Sequence, residues 1–145
     1  MRTVLVCLDG SEREKGVLDA AIGVGRRAGA KLVLLRCVGL PYDLPAEAYA
    51  MNPDDVEKVL AQRAHADLHA LEKLVPEALR AGTRVVVGGV AASIQRAAEE
   101  IDADLVVVGA HGYNAIDRVV GTTAARVVNR ADRAVLVVRA PERLA

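Results

Sequence analysis

The chain contains no phenylalanine and no tryptophan, and only three of its 145 residues are tyrosine. Binding by base stacking or by an aromatic cage depends on such rings, so neither is expected as the main mechanism. An excess of charge is also lacking, because 19 Lys and Arg residues balance 19 Asp and Glu residues. A neutral chain gives no electrostatic reason to expect a nucleic-acid or membrane partner.

Long apolar runs and a leader pattern are missing as well. No run approaches the roughly 18 residues of a membrane span, and the start MRTVLVCLDG has no signal-peptide pattern. We therefore expect a cytoplasmic protein with a single domain over residues 1–145. Cysteine is scarce: Cys7 and Cys37 lie in apolar runs, where thiols usually pack as small hydrophobic groups. A redox pair is the alternative if the two runs are neighbours.

Short aliphatic runs alternate with helical stretches along the chain. The runs are TVLVCL, KLVLLRCV, TRVVVG, DLVVVG and AVLVVR. Runs without polar alternation are typical of parallel strands that are covered on both faces, and right-handed crossovers then build a doubly wound α/β sandwich. The sequence predicts a flavodoxin-like, five-stranded parallel sheet with strand order 3-2-1-4-5.

Capping and breaking residues predict the limits of the first two helices. The first is expected to begin with Ser11 as its N-cap, with Glu14 completing a capping box, and to end near Gly29. The second is expected from about Asp54 to Arg80, with a kink at Pro76.

The remaining segments are assigned in the same way. A third helix is predicted from about Ala91 to Glu100, and the proline-rich segment 39–53 is predicted to be a loop over the edge of the sheet. His65 and His69 are spaced for one face of the second helix, and a solvated surface is favoured there over a metal site.

The carboxyl ends of the first and fourth strands carry the main functional signal. In such sheets, ligands bind beyond the strand ends where the strand order reverses. Asp9-Gly10-Ser11 follows the first strand and offers a carboxylate to an amino group or a ribose hydroxyl. Gly109, Gly112 and Gly121-Thr122-Thr123 follow the fourth strand and lead into a helix start, which suits a phosphate group. We therefore predict a nucleotide site between these strands.

Over essentially its whole length, the chain resembles the universal stress protein family. The resemblance lies in VLVCLDGSE, LLRCV, VVVGGVAASI and the stretch from ADLVVVGAHG through GTTAARVV to AVLVVR. The nucleotide-binding branch of that family carries Gly-x2-Gly-x9-Gly-Ser/Thr, whereas this chain has Gly-x2-Gly-x8-Gly-Thr from Gly109. One residue spans up to roughly 3.5 Å. The shorter loop would either tighten around a shorter phosphate chain, as in AMP or ADP, or shift the helix.

The resemblance implies an adenine-nucleotide site, with ATP or another adenine nucleotide as ligand, with or without Mg²⁺. Asp9 would face the adenine or ribose, and the main chain of Cys37 would face the adenine edge. The glycine loop, residues 109–123, would surround the ribose and phosphates. His111 would either contact the ligand or be solvated without contacting it. The full predicted set is Cys7, Leu8, Asp9, Cys37, Val108, Gly109, His111, Gly112, Gly121, Thr122 and Thr123.

The glycine loop contains no lysine and no Walker pattern. The sequence therefore predicts binding with at most slow hydrolysis, and it assigns no catalytic residue and no metal ligand. The aliphatic last strand, Ala134 to Arg139, would leave an exposed edge, which predicts a homodimer. The resemblance implies the same dimer and a regulator of the stress response. The alternative is a nucleotide-free dimeric adaptor that binds an unknown protein partner.

Overall fold

The computed structural model describes residues 1–39, 52–110 and 122–139. Strands and α-helices alternate along these residues. The strands are β1 Thr3–Cys7, β2 Lys31–Val38, β3 Arg80–Val87, β4 Leu105–Gly109 and β5 Ala134–Val138. The helices are α1 Glu14–Ala28, α2 Pro53–Glu72, α3 Val90–Glu100 and α4 Thr122–Arg130.

The strands form one parallel sheet in the order β3-β2-β1-β4-β5. This order confirms the predicted doubly wound α/β fold. β1 is central: Thr3 lies opposite Lys31 of β2 on one side, and Val4 lies opposite Leu105 of β4 on the other. Because the chain winds in opposite directions from β1 and β4, the carboxyl ends of these two strands border a crevice.

Helices cover both faces of the sheet. Val6 of β1 belongs to a buried cluster that includes residues of α1 and α2, whereas Leu5 belongs to a cluster that includes residues of α3 and α4. Each such aliphatic side chain stabilises the fold by about 1.5–3 kcal/mol when fully buried. Covering both faces explains why the central strands show no polar alternation. Among the described helices, none is both long and apolar enough to cross a membrane.

The first helix begins at Glu14, so the predicted capping box on Ser11 is wrong. Arg13 occupies the N-cap position and its side chain makes no capping hydrogen bond. Ser11 Oγ accepts a hydrogen bond from the Arg13 amide at 3.3 Å. Glu14 Oε2 accepts one from the Gly10 amide at 2.9 Å and also pairs with Arg36 of β2. Arg36 of β2 thus holds Glu14, and the helix begins at Glu14 itself.

The second helix ends at Glu72, so the predicted kinked helix as far as Arg80 is wrong. Pro76 precedes a short 3-10 helix, Glu77–Leu79, and β3 begins directly at Arg80. Proline has no amide hydrogen to donate and disfavours helical geometry at the residue before it. β3 therefore begins earlier than the predicted run, which starts at Thr83.

The other predicted boundaries agree with the structure. Gly29 ends the first helix with φ 66°, a left-handed conformation that favours glycine. α3 begins at Val90, one residue before the predicted start, and α4 begins at Thr122 within the predicted Gly-Thr-Thr helix start. Most of the predicted loop, residues 40–51, lies outside the described residues.

Candidate functional site

A cavity of about 240 Å³ opens at the carboxyl ends of β1, β2, β4 and β5. It therefore lies where the strand order reverses, as ligand sites do in sheets of this kind. Mostly apolar walls with a few polar groups are typical of small-molecule sites. The lining residues are Cys7, Leu8, Asp9, Ser11, Arg13, Gly16, Val17, Leu35, Cys37, Val90, Ile94, Val108, Gly109, Ala110, Thr123 and Val138.

Most of the predicted site residues line this cavity. The structure brings together Cys7, Leu8, Asp9, Cys37, Val108, Gly109 and Thr123. Thr122 begins α4, directly before Thr123. His111, Gly112 and Gly121 lie outside the described residues, so their contacts with a ligand stay predictions.

Asp9 lies in a turn that its own side chain stabilises. Its Oδ1 accepts a hydrogen bond from the Ser11 amide at 2.9 Å, as aspartate commonly does in turns. Gly10 has φ 81°, a conformation that disfavours residues with a Cβ atom. The Leu8 amide donates to the Leu35 carbonyl at 2.9 Å and fixes the end of β1. Asp9 itself is exposed, so its carboxylate can also accept a hydrogen bond from a ligand.

Gly109 has a packing role in addition to its place in the cavity wall. A Cβ atom at this position would lie 3.1 Å from Val17 Cγ2 of α1, which is too close for ordinary contact. Next to it, the Ala110 amide donates to the Val138 carbonyl at 2.8 Å and extends the pairing of β4 with β5. The glycine therefore lets α1 approach the end of β4.

The two cysteines form part of the apolar wall on the side of α3. Both are free thiols, and both pack against the buried cluster on that face. Cys37 Sγ lies 3.9 Å from the Val90 carbonyl oxygen. Burial raises the pKa of Cys37 from 9.0 to about 11. Burial, followed by the nearby Cys37 thiol, raises the pKa of Cys7 well above its usual range. Neutral thiols are poor nucleophiles, so the structure favours packing over redox chemistry.

The histidines of α2 lie away from the cavity. His65 and His69 are both exposed, and His69 Nδ1 is 3.9 Å from a carboxylate oxygen of Glu72. Within residues 1–39, 52–110 and 122–139, no group of three or more His, Cys, Asp or Glu residues is placed to hold a metal ion.

Two arginines near the cavity were missed by the sequence prediction. Arg13 lines the cavity and is its only cation among the described lining residues. Its position depends on where α1 begins, which the sequence did not reveal. Arg36 is only 8% exposed and lies beneath the turn that follows β1. A signal for it was present, because it is the only charged residue in the aliphatic run LVLLRCV.

The sheet order and the position of the cavity define a doubly wound α/β protein with a ligand crevice at its switch point. The chain belongs to the universal stress protein family, whose model matches residues 1–139. A Staphylococcus aureus (strain USA300) protein named as a universal stress protein is 29% identical in an alignment of 145 positions that covers 97% of this chain and 86% of that protein.

Solved structures of the same family share the fold. Universal stress protein UspA from Lactobacillus plantarum is 27% identical, with a TM-score of 0.77 over 95% of this chain and 97% of that chain. A universal stress protein solved in complex with cAMP is 24% identical, with a TM-score of 0.69 over 94% of this chain and 96% of that chain.

Proposed function

We propose that this chain is a universal stress protein that binds an adenine nucleotide, ATP, ADP or AMP, in the cavity between β1 and β4. The observation that carries the proposal is the convergence of Asp9, Cys37, Gly109 and Thr123 on one cavity at the switch point. The same fold is found in a universal stress protein solved in complex with cAMP.

The walls of the cavity fit a purine base and a ribose. Leu35, Val90, Ile94 and Val108 offer apolar surface, and the thiols beside them stay neutral. An apolar slot with hydrogen-bonding groups at its edge is the usual environment for a base. Asp9 is exposed at the mouth of the cavity and suits a ribose hydroxyl or an amino group.

Two other lining residues suit phosphate groups. Arg13 supplies a positive charge, and Thr123 lies in the first turn of α4, where the helix dipole favours an anion. The amides of Gly112 and Gly121 would complete the phosphate contacts. A bound nucleotide could carry Mg²⁺, for which Asp9 is the one carboxylate among the described lining residues.

The proposal extends to the working form of the protein. The protein acts in the cytoplasm as a homodimer joined through β5. It regulates the stress response according to whether a nucleotide is bound. Hydrolysis is at most slow, because neither the described cavity lining nor the glycine loop contains a lysine.

A substitution at Gly16 tests the cavity without disturbing the core. Gly16 lies in α1 and lines the cavity, and a Cβ atom there would meet no other atom within 4 Å, so a leucine would extend into open space. We expect Gly16→Leu to abolish saturable heat in calorimetric titrations with ATP, ADP and AMP. Gly23→Leu is the matched control, because Gly23 lies in the same helix with equally open space and does not line the cavity.

The outcomes distinguish nucleotide binding from the alternative function, a nucleotide-free dimeric adaptor. Wild-type protein and Gly23→Leu should bind with micromolar affinity while Gly16→Leu stays folded and does not bind. Folded wild-type protein that gives neither heat nor a melting shift with any of the three nucleotides would contradict the proposal. That result would favour the nucleotide-free dimeric adaptor, which the one-residue-shorter glycine spacing also allows.

A further inference from the structure

Arg36 joins three elements of the fold beneath the turn that follows β1. Its side chain is 10% exposed. Nε donates to the Leu8 carbonyl at 3.2 Å, Nη2 donates to Glu14 Oε2 at 2.5 Å, and Nη1 donates to Asp67 Oδ2 of α2 at 3.2 Å. A guanidinium group has a fixed fork of donors, so these contacts define its orientation.

The contacts of Arg36 lie on both sides of Asp9. Before Asp9, the guanidinium holds the Leu8 carbonyl directly. After Asp9, it holds Glu14, whose Oε2 accepts a hydrogen bond from the Gly10 amide at 2.9 Å. A Cβ atom on Gly10 would lie 3.7 Å from Arg36 Cζ, so the turn rests directly on the guanidinium.

We propose that Arg36 is a positioning residue for the nucleotide site: it fixes the main chain on either side of Asp9 and so sets where the Asp9 carboxylate meets the ligand. This inference rests on the proposed function. Arg36 is not among the residues that line the cavity, so it acts through the turn and not by contact with the nucleotide. Asp67 is 57% exposed and does not contact the turn among the described contacts, so its bond to Arg36 contributes less to this role.

A positioning role and a purely structural role make different predictions. If the guanidinium only stabilised the fold, its loss would lower the melting temperature but leave the affinity of the folded protein unchanged. If it positions Asp9, its loss must weaken binding in the folded protein, and the loss must depend on Asp9. A double-mutant cycle measures that dependence.

The experiment compares ATP affinity by calorimetry for wild-type protein, Arg36→Met, Asp9→Ala and the double variant, at a temperature where circular dichroism shows each to be folded. We expect Arg36→Met to weaken binding about tenfold, which is about 1.4 kcal/mol. In the Asp9→Ala background the same substitution should change affinity less than about twofold. Arg84→Met is the matched control: it breaks the exposed ion pair between Arg84 of β3 and Glu100 of α3, and it should bind like wild type.

A second variant covers the case in which Arg36→Met does not fold. Glu14→Gln keeps the size of the side chain and weakens its link to Arg36, so it should also lower affinity, again only when Asp9 is present. Unchanged affinity in whichever variant folds would overturn the inference. The same roughly tenfold loss of affinity in the Asp9→Ala background as in the wild-type background would also overturn it. Either result would leave the proposed function intact. Wild-type protein that does not bind ATP would instead overturn the proposed function, and this inference with it.

Discussion

Arg13 has no ion-pair partner among the described residues, although it lines a cavity. A cation in that position attracts phosphate and has little effect on an uncharged nucleoside. We expect Arg13→Gln to weaken ATP binding about tenfold, or about 1.4 kcal/mol, and to leave adenosine binding almost unchanged. The measurement is calorimetry with both ligands.

Lys15→Gln is the matched control for Arg13. Lys15 lies two positions further along, is exposed, and does not line the cavity. Each substitution removes one positive charge. If only the net charge mattered, both substitutions would therefore weaken ATP binding equally, as expected of charges that act at a distance through solvent. An equal loss of ATP affinity in both variants would therefore show that Arg13 makes no local contact with phosphate.

The thiol of Cys37 gives a prediction that depends on pH. Because burial raises the pKa of Cys37 from 9.0 to about 11, the folded protein holds the proton more tightly than the unfolded chain. The protonated thiol therefore contributes to the free energy of unfolding in full below pH 9.0, and this contribution is lost as the pH rises towards about 11. At about pH 8, alkylation should be roughly a hundredfold slower in folded than in denatured protein, since only the thiolate reacts.

Mass spectrometry of Cys37 after timed alkylation measures this difference. The rate in the folded protein should rise as the pH approaches about 11. A folded rate equal to the denatured rate at about pH 8 would contradict the protonated thiol.

At the scale of elements, two glycines in α1 make opposite predictions. A Cβ atom on Gly25 would lie 3.1 Å from the Ala30 carbonyl oxygen and 3.2 Å from Leu32 Cδ2, so Gly25→Ala should destabilise the fold by about 1–3 kcal/mol. Gly23 has nothing within 4 Å, so Gly23→Ala should stabilise the helix by about 0.5–1 kcal/mol. Urea unfolding of both variants measures the difference. A stabilising shift in Gly25→Ala as well as in Gly23→Ala would show that α1 does not pack closely on β2.

The positions of the strands were predictable because covered parallel strands need continuous aliphatic runs, and KLVLLRCV matches the bounds of β2 without a shift. The start of α1 was not predictable from local sequence, because Glu14 is held by Arg36, which is 22 residues away. The early end of α2 was signalled by Pro76, but whether proline kinks or ends a helix depends on the next element of the chain, here β3.

The candidate site was partly predictable for the same physical reasons. Asp9 and Gly109 follow strands whose carboxyl ends must meet once the strand order is known. Arg13 and Ile94 also line the cavity, but their positions depend on how α1 and α3 pack. The packing of Val17 against Gly109 was equally invisible, since it joins residues far apart in the chain.

At the scale of the whole molecule, the two edges of the sheet differ. β3 carries Arg80, Thr83 and Arg84, and polar residues of this kind discourage strand pairing. β5 reads AVLVV and is only partly covered, with four of its residues of intermediate exposure. We expect the protein to be a dimer joined at β5. Sedimentation velocity across the micromolar range measures this, and a monomer throughout would contradict the predicted interface.

The most direct test of the nucleotide site is a titration of isotope-labelled protein with ATP, in which the amide chemical shifts are recorded. We predict saturable shifts centred on Leu8, Asp9 and Cys37, on 108–110 and on the start of α4, with the amides of β3 almost unchanged. Saturable shifts confined to another surface, or none at all in folded protein, would contradict a nucleotide bound between β1 and β4.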